Sequence, residues 1–284
     1  MTHVLAFAYP WPFDRDYMRL ALLAGLVVGA CAPLIGAFVV EKRMSLLGDG
    51  LGHLAFAGVA LGLLANVWPI WTALLAAVIG AVVVEWLRSH GRTSGDLALA
   101  LTFYGGIALA VVLASRAPSG TSVNVVPYLF GSILTVNISD VRVIMALGFL
   151  IVMMLLFTGR ALFAIVLDEE SARVAGLPVD ALNTLLAVLT AVTIVAAMRV
   201  VGVLLVAALM LLPVATSRLV ARSFRGTLVG AVIVGVASVV LGLTAARVWD
   251  IAPGGAIVLT TVVIFAVFGT FGTVTRRAGS LLPH

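Results

Sequence analysis

The chain of 284 residues is 63% hydrophobic and only 10% charged, with a formal net charge of +5. Soluble domains carry roughly 25% charged residues, so a soluble class is excluded and an integral membrane protein is indicated. The basic residues are scattered between apolar runs, with no basic patch interleaved with aromatics, which argues against a nucleic-acid partner, and one cysteine, Cys31, excludes an intrachain disulfide or a cysteine-based metal cluster.

The N-terminal stretch MTHVLAFAYPWPFDRDYM lacks the basic start of a signal peptide. Tyr9, Trp11, Phe13 and Tyr17 read as interfacial anchors, whose rings favour the headgroup layer. A membrane span needs about 20 largely apolar residues. Such runs predict segments at 18–40, 46–65, 69–87, 96–115, 139–159, 180–198, 200–217, 226–246 and 254–274. The fold class is therefore all-α, a polytopic membrane protein of eight or nine transmembrane helices forming a single domain over 1–284 without linkers. The region 117–138 reads as a loop with a short apolar piece, re-entrant or at the surface.

Orientation follows from the basic residues. With Lys42 and Arg43 on the cytoplasmic side, Arg88, Arg92, Arg160, Arg173, Arg218, Arg222, Arg225, Arg276 and Arg277 also fall inside. That is eleven of the 17 basic residues, and it predicts a cytoplasmic C-terminus. Arg199, between two closely spaced segments, fits this scheme least well.

The longest cytoplasmic connection spans 160–179, and its core, Asp168 to Pro178, reads as a short amphipathic helix. Asp168, Glu169 and Glu170 occupy the first turn, where the helix dipole favours negative charge. Gly176 and Pro178 are stop signals. Val166, Leu167, Ala172, Val174 and Ala175 are expected to form its apolar side.

No P-loop is possible, because the only lysine, Lys42, is followed by Arg43 rather than Ser or Thr. Gly-x-Ser-x-Gly and His-Glu-x-x-His are absent as well, so no enzyme is named. Against this background Asp49 and His53 stand out inside a predicted span, where an ionised group costs about 2.5–3.5 kcal/mol. Positions i and i+4 share one helix face, so both groups address one ligand. A divalent first-row cation suits the pair, as does a proton relay, and so does a helix-start cap beside a hydrogen-bonded core histidine. Gly48 and Gly52, then Gly58 and Gly62, form small-xxx-small patterns for close helix packing along this segment. The alternating glycines weaken helix propensity by roughly 1 kcal/mol each, so local bending or unwinding is expected.

Several of these stretches, in order, resemble one family. They are Val39-Val40 through Lys42-Arg43 into MSLLGDGLGHLAFAGVALG; Asp96 opening a segment after a basic loop; the run Tyr128 to Leu134; DEESARVAGLPV; Val201 to Leu209 with Pro213, Ala215 and Thr216; and Gly254 to Leu259. The chain resembles the permease subunits of ABC importers for divalent metals, the zinc/manganese permeases related to siderophore and vitamin B12 permeases. The resemblance implies the type II ABC importer permease fold, a homodimer with the path between the subunits, and a multi-pass protein of the bacterial inner membrane. It also implies a separate cytoplasmic ATPase and a periplasmic or lipid-anchored metal-binding protein. The chain itself is then no enzyme and holds no permanent cofactor, its cargo being Zn2+, next Mn2+ or ferrous iron. Asp49 and His53 match the family's acid and histidine as transient metal ligands, and Asp168, Glu169, Glu170, Ala172, Arg173 and Gly176 match its ATPase-coupling helix. Many relatives read Gly-Asp-Ala-Leu-Ser-His, where this chain has Gly50 and Gly52. The alternatives are a siderophore or haem permease, which should want fewer in-membrane charges, and a proton-coupled secondary carrier, which should want more acids.

Overall fold

The computed structural model describes residues 13–89, 95–116, 126–132 and 136–279. Helices form where the apolar runs lie: α1 (Asp16–Glu41), α2 (Leu46–Leu64), α3 (Pro69–Ser89), α4 (Gly95–Ser115), α5 (Val126–Phe130), α6 (Ile138–Leu167), α7 (Glu169–Val174), α8 (Val179–Met198), α9 (Val203–Arg218), α10 (Phe224–Trp249) and α11 (Pro253–Gly279). Seven of these are long and apolar enough to cross a membrane, among the described residues. They are α1, α2, α3, α6, α8, α10 and α11; the apolar Leu97–Leu113 stretch of α4 and α9 are shorter. Nine apolar helices thus stand where nine segments are expected, two of them under spanning length. In the 117–138 region the apolar piece is the short helix α5.

Helix α6 departs from expectation. Arg160 reads as a boundary, yet the helix continues to Leu167, 30 residues in all. That is about 45 Å of helix against a hydrocarbon core of about 30 Å. Arginine is a good helix former and its side chain snorkels, so a charge at the interface need not end a helix. Termination comes at Asp168, whose backbone is extended.

The core is built around α8, 78% of whose spanning stretch is buried, against 28% in α6 and α11. A helix apolar on all sides belongs in the interior. Its buried Thr190 and Thr193 donate their hydroxyls to the carbonyls of Leu186 and Leu189 four residues back. Cys31 is buried in α1, its thiol directed at the Gly148 carbonyl at 3.8 Å, which is the packing role its position suggests.

At the end of the bundle opposite α7, three chain turns cross at glycines. Gly202 has φ +89° and Gly131 φ +73°. A Cβ on Gly202 would lie 2.5 Å from the Phe130 carbonyl carbon, and one on Gly254 would lie 2.5 Å from the Phe130 oxygen. Only glycine permits both the left-handed backbone and this approach. The same end holds the Arg199–Asp140 ion pair at 2.7 Å, both side chains nearly buried, with the Arg199 guanidinium 4.9 Å from the centre of the Tyr128 ring. Arg199, uncomfortable as a loop charge, is an internal partner for an acid in the first turn of α6.

Candidate functional site

Asp49 lies in the first turn of α2 and His53 one turn later, both half-buried on one face. Each is close enough to feel the other's charge. The His53 ring meets the Phe103 ring of α4 edge to face, with centroids 4.8 Å apart and planes at 90°. Gly106 of α4 makes that approach possible, since a Cβ there would lie 3.1 Å from the His53 Cβ. Together the two residues offer one carboxylate and one imidazole. Among the described residues no cluster of three or more His, Cys, Asp or Glu is present, so a single chain supplies two such donors at this position.

The glycines of α2 divide by neighbour. Gly48 and Gly52 face Ala207 and Val203 of α9, while Gly58 and Gly62 face Thr72, Ala73 and Pro69 of α3. Gly50 lies against Leu99 and Thr102 of α4. The expected unwinding does not occur, because α2 is one continuous helix of 19 residues. Its low intrinsic propensity is overcome by packing on three sides, the usual source of helix stability in proteins.

Helix α7 is built much as its residues suggest. Asp168 is the N-cap, accepting from the Glu170 and Ser171 amides at 3.0 and 3.1 Å and from the Ser171 hydroxyl at 2.5 Å. These hydrogen bonds, the Ser171 hydroxyl first, hold the Asp168 carboxyl below the usual carboxylate range. Gly176 takes φ +83° after the last turn. The expected apolar side is not formed: Ala172 and Val166 are buried, but Val174 is 87% exposed and Leu167 60% exposed. With α6 continuing straight into the α7 corner, these residues fall on different helices and cannot share a face. Glu170, Ser171, Val174, Ala175 and Gly176 form the outward surface instead.

The sequence reading missed what ties these two places together. Lys42, in the turn between α1 and α2, has a side chain only 7% exposed and lies 3.4 Å from Glu169 of α7. It also donates to the Asn183 side-chain oxygen of α8, while the Asn183 amide donates to Glu169 at 3.2 Å. Burial, reinforced by Arg88, pushes the Lys42 ammonium below the ordinary lysine range, against the pull of Glu169 and Glu85. Arg173 pairs with Asp180 at 3.0 Å and stands 3.9 Å from Glu169. Glu41 pairs with Arg218. Signals existed, since Lys42 is the only lysine and Asn183 the only asparagine within α8. Two further acids lie buried within helices, Asp140 as described and Glu85, which is paired with Arg88 at 2.9 Å. The side chain of Asp96, with Arg92, Ile133, Leu134, Arg276, Arg277, Tyr9 and Trp11, lies outside the described residues.

The architecture is that of a multi-pass membrane permease, a transport subunit. The ABC 3 transport family model matches residues 14–271, and the chain belongs to this family. Among its relatives, the manganese transport system membrane protein MntC of Halalkalibacterium halodurans is 29% identical over 96% of this chain and 94% of its own. The high-affinity zinc uptake system membrane protein ZnuB of Haemophilus influenzae is 31% identical over 87% and 94%. The solved structure of PsaBC from Streptococcus pneumoniae in complex with Fab is 29% identical over 90% of this chain and 91% of that one, with a TM-score of 0.80.

Proposed function

We propose that this chain is the membrane subunit of an ATP-driven importer of a divalent transition metal, operating as a homodimer in the bacterial inner membrane with its C-terminus inside. The reading makes all of 1–284 one permease domain. A separate cytoplasmic ATPase docks on the outward surface of α7, and an external metal-binding protein delivers the cargo. The observation that carries it is Asp49 and His53 on one face of α2, the helix whose preceding turn is tied to α7 through Lys42. The relatives named for manganese and zinc transport support the cargo class. Two copies would present two carboxylates and two imidazoles, which suits a transient site, because permeation requires release. Imidazole favours zinc and carboxylate suits manganese; zinc is placed first.

The test is metal uptake into liposomes holding the chain with its ATPase and its metal-binding protein. Uptake should require ATP and favour zinc over manganese. Asp49→Asn and His53→Gln should each lower it by at least on the order of 10-fold, the loss that even outer-shell changes cause at metal sites. Uptake by the chain alone, driven by a proton gradient, would overturn the reading in favour of a secondary carrier.

A further inference from the structure

Where α1, α6 and α10 meet at the α7 end of the bundle, they line a groove of about 560 Å³. Its floor is an aromatic trio. Phe224 stacks on Phe163 with centroids 4.6 Å apart and meets Phe38 edge-on at 5.2 Å. Leu34, Leu155 and Leu228 also line it, together with Arg160 and Arg225. Both arginines are exposed, and neither takes part in any ion pair among the described residues. Their level is fixed by helix geometry. Arg142 and Arg160 lie on α6 about 27 Å apart along the axis, close to the roughly 30 Å of the hydrocarbon core. Arg160 therefore stands at the headgroup boundary, with the apolar groove running into the membrane below it.

We propose that this groove is a binding site for an anionic phospholipid of the leaflet on the α7 side, its phosphate held by Arg160 and Arg225 and one acyl chain lying on Phe38, Phe163 and Phe224. Lipid tails are as apolar as the groove wall, so the tail is nearly indifferent between groove and bilayer. Selectivity must come from the two unpaired cations, and basic pockets between helices at this depth recognise anionic headgroups. The proposal takes the α7 side as cytoplasmic from the proposed function, but binding needs neither ATPase nor metal.

The test is native mass spectrometry of the purified, delipidated chain titrated with phosphatidylglycerol or phosphatidylcholine of equal acyl length. Two basic residues near the surface should favour the anionic lipid by roughly 10-fold or more. Arg160→Gln with Arg225→Gln should abolish the preference, with the thermal midpoint of the lipid-free protein unchanged. Gly159→Trp provides an independent check, because a Cβ there meets nothing within 4 Å and a large side chain can fill the groove without disturbing the helix; it should displace bound lipid. Equal retention of the two lipids, or a preference that survives both variants, would overturn the proposal. Neither result bears on metal uptake, which the liposome experiment measures separately.

Discussion

Lys42 is the only lysine among 17 basic residues, and it is the one that reaches α7. Replacing it with methionine keeps the apolar stem and removes the ammonium. Glu169 is 42% exposed, so solvent screens the pair, and the stability cost should be about 1 kcal/mol or less. The functional cost should be larger: stimulation of ATP hydrolysis by the loaded metal-binding protein should be lost in Lys42→Met. Stimulation that survives Lys42→Met would sink the Lys42 route. Alkaline pH should weaken the same tie, since burial holds the Lys42 ammonium below its ordinary value of 10.5. Between the two values the unfolded chain binds more protons than the folded one, so this group favours folding as pH rises even while its tie to Glu169 is lost. Lys42→Arg, whose guanidinium does not titrate, should keep coupling at alkaline pH. The Arg199–Asp140 pair ranks differently, because both partners are enclosed. Asp140→Ala should lower stability by about 3–5 kcal/mol, and adding Arg199→Met should recover much of it, as read by thermal unfolding in detergent.

At the scale of elements, α2 turns a propensity problem into a packing test. The Gly50 position leaves 3.6 Å between a new Cβ and Thr102, whereas at Gly58 the Cβ would fall 2.5 Å from the Thr72 carbonyl. Gly50→Ala should therefore be tolerated and gain up to roughly 1 kcal/mol of helix propensity. Gly58→Ala should separate α2 from α3 at a cost of about 1–3 kcal/mol. The same melting experiment measures both. The apolar runs made the long helices legible, and the capping residues around Asp168 and Gly176 made α7 legible, since both signals are local in sequence. The extension of α6 past Arg160 was hidden because a snorkelling charge looks like a helix end. The Lys42–Asn183 contact was hidden because its partners are 141 residues apart, and no periodicity reports such a pairing. Asp49 and His53 could be picked out because isolated polar groups are conspicuous in apolar sequence; their spacing alone left metal, proton and structural roles open.

For the molecule as a whole, the two ends of the bundle are held by different means. One end is closed by crossings at Gly131, Gly202 and Gly254, which allow no added side chain. The other is held by charged side chains around Lys42, Glu169 and Arg173, contacts that can be exchanged. The proposed homodimer brings a direct check. Leu46 is 59% exposed and precedes Asp49 by three residues on α2. In a Cys31→Ala background, Leu46→Cys should form a disulfide between two copies in the membrane if the Asp49 faces meet near the axis. Leu156→Cys, on the outer face of α6, should not.

The turn from α1 to α2 is only four residues long, 42–45, with Arg43 held at φ +58°. Between the lysine that grips α7 and the carboxylate in α2 there are six residues, the last three of them already coiled into helix. Such a connection has almost no slack. Whatever displaces α7 must move the base of α2 nearly one for one, as a crank turns its shaft; under the proposed function, how firmly a single ammonium holds would then set the timing of cargo release beside Asp49.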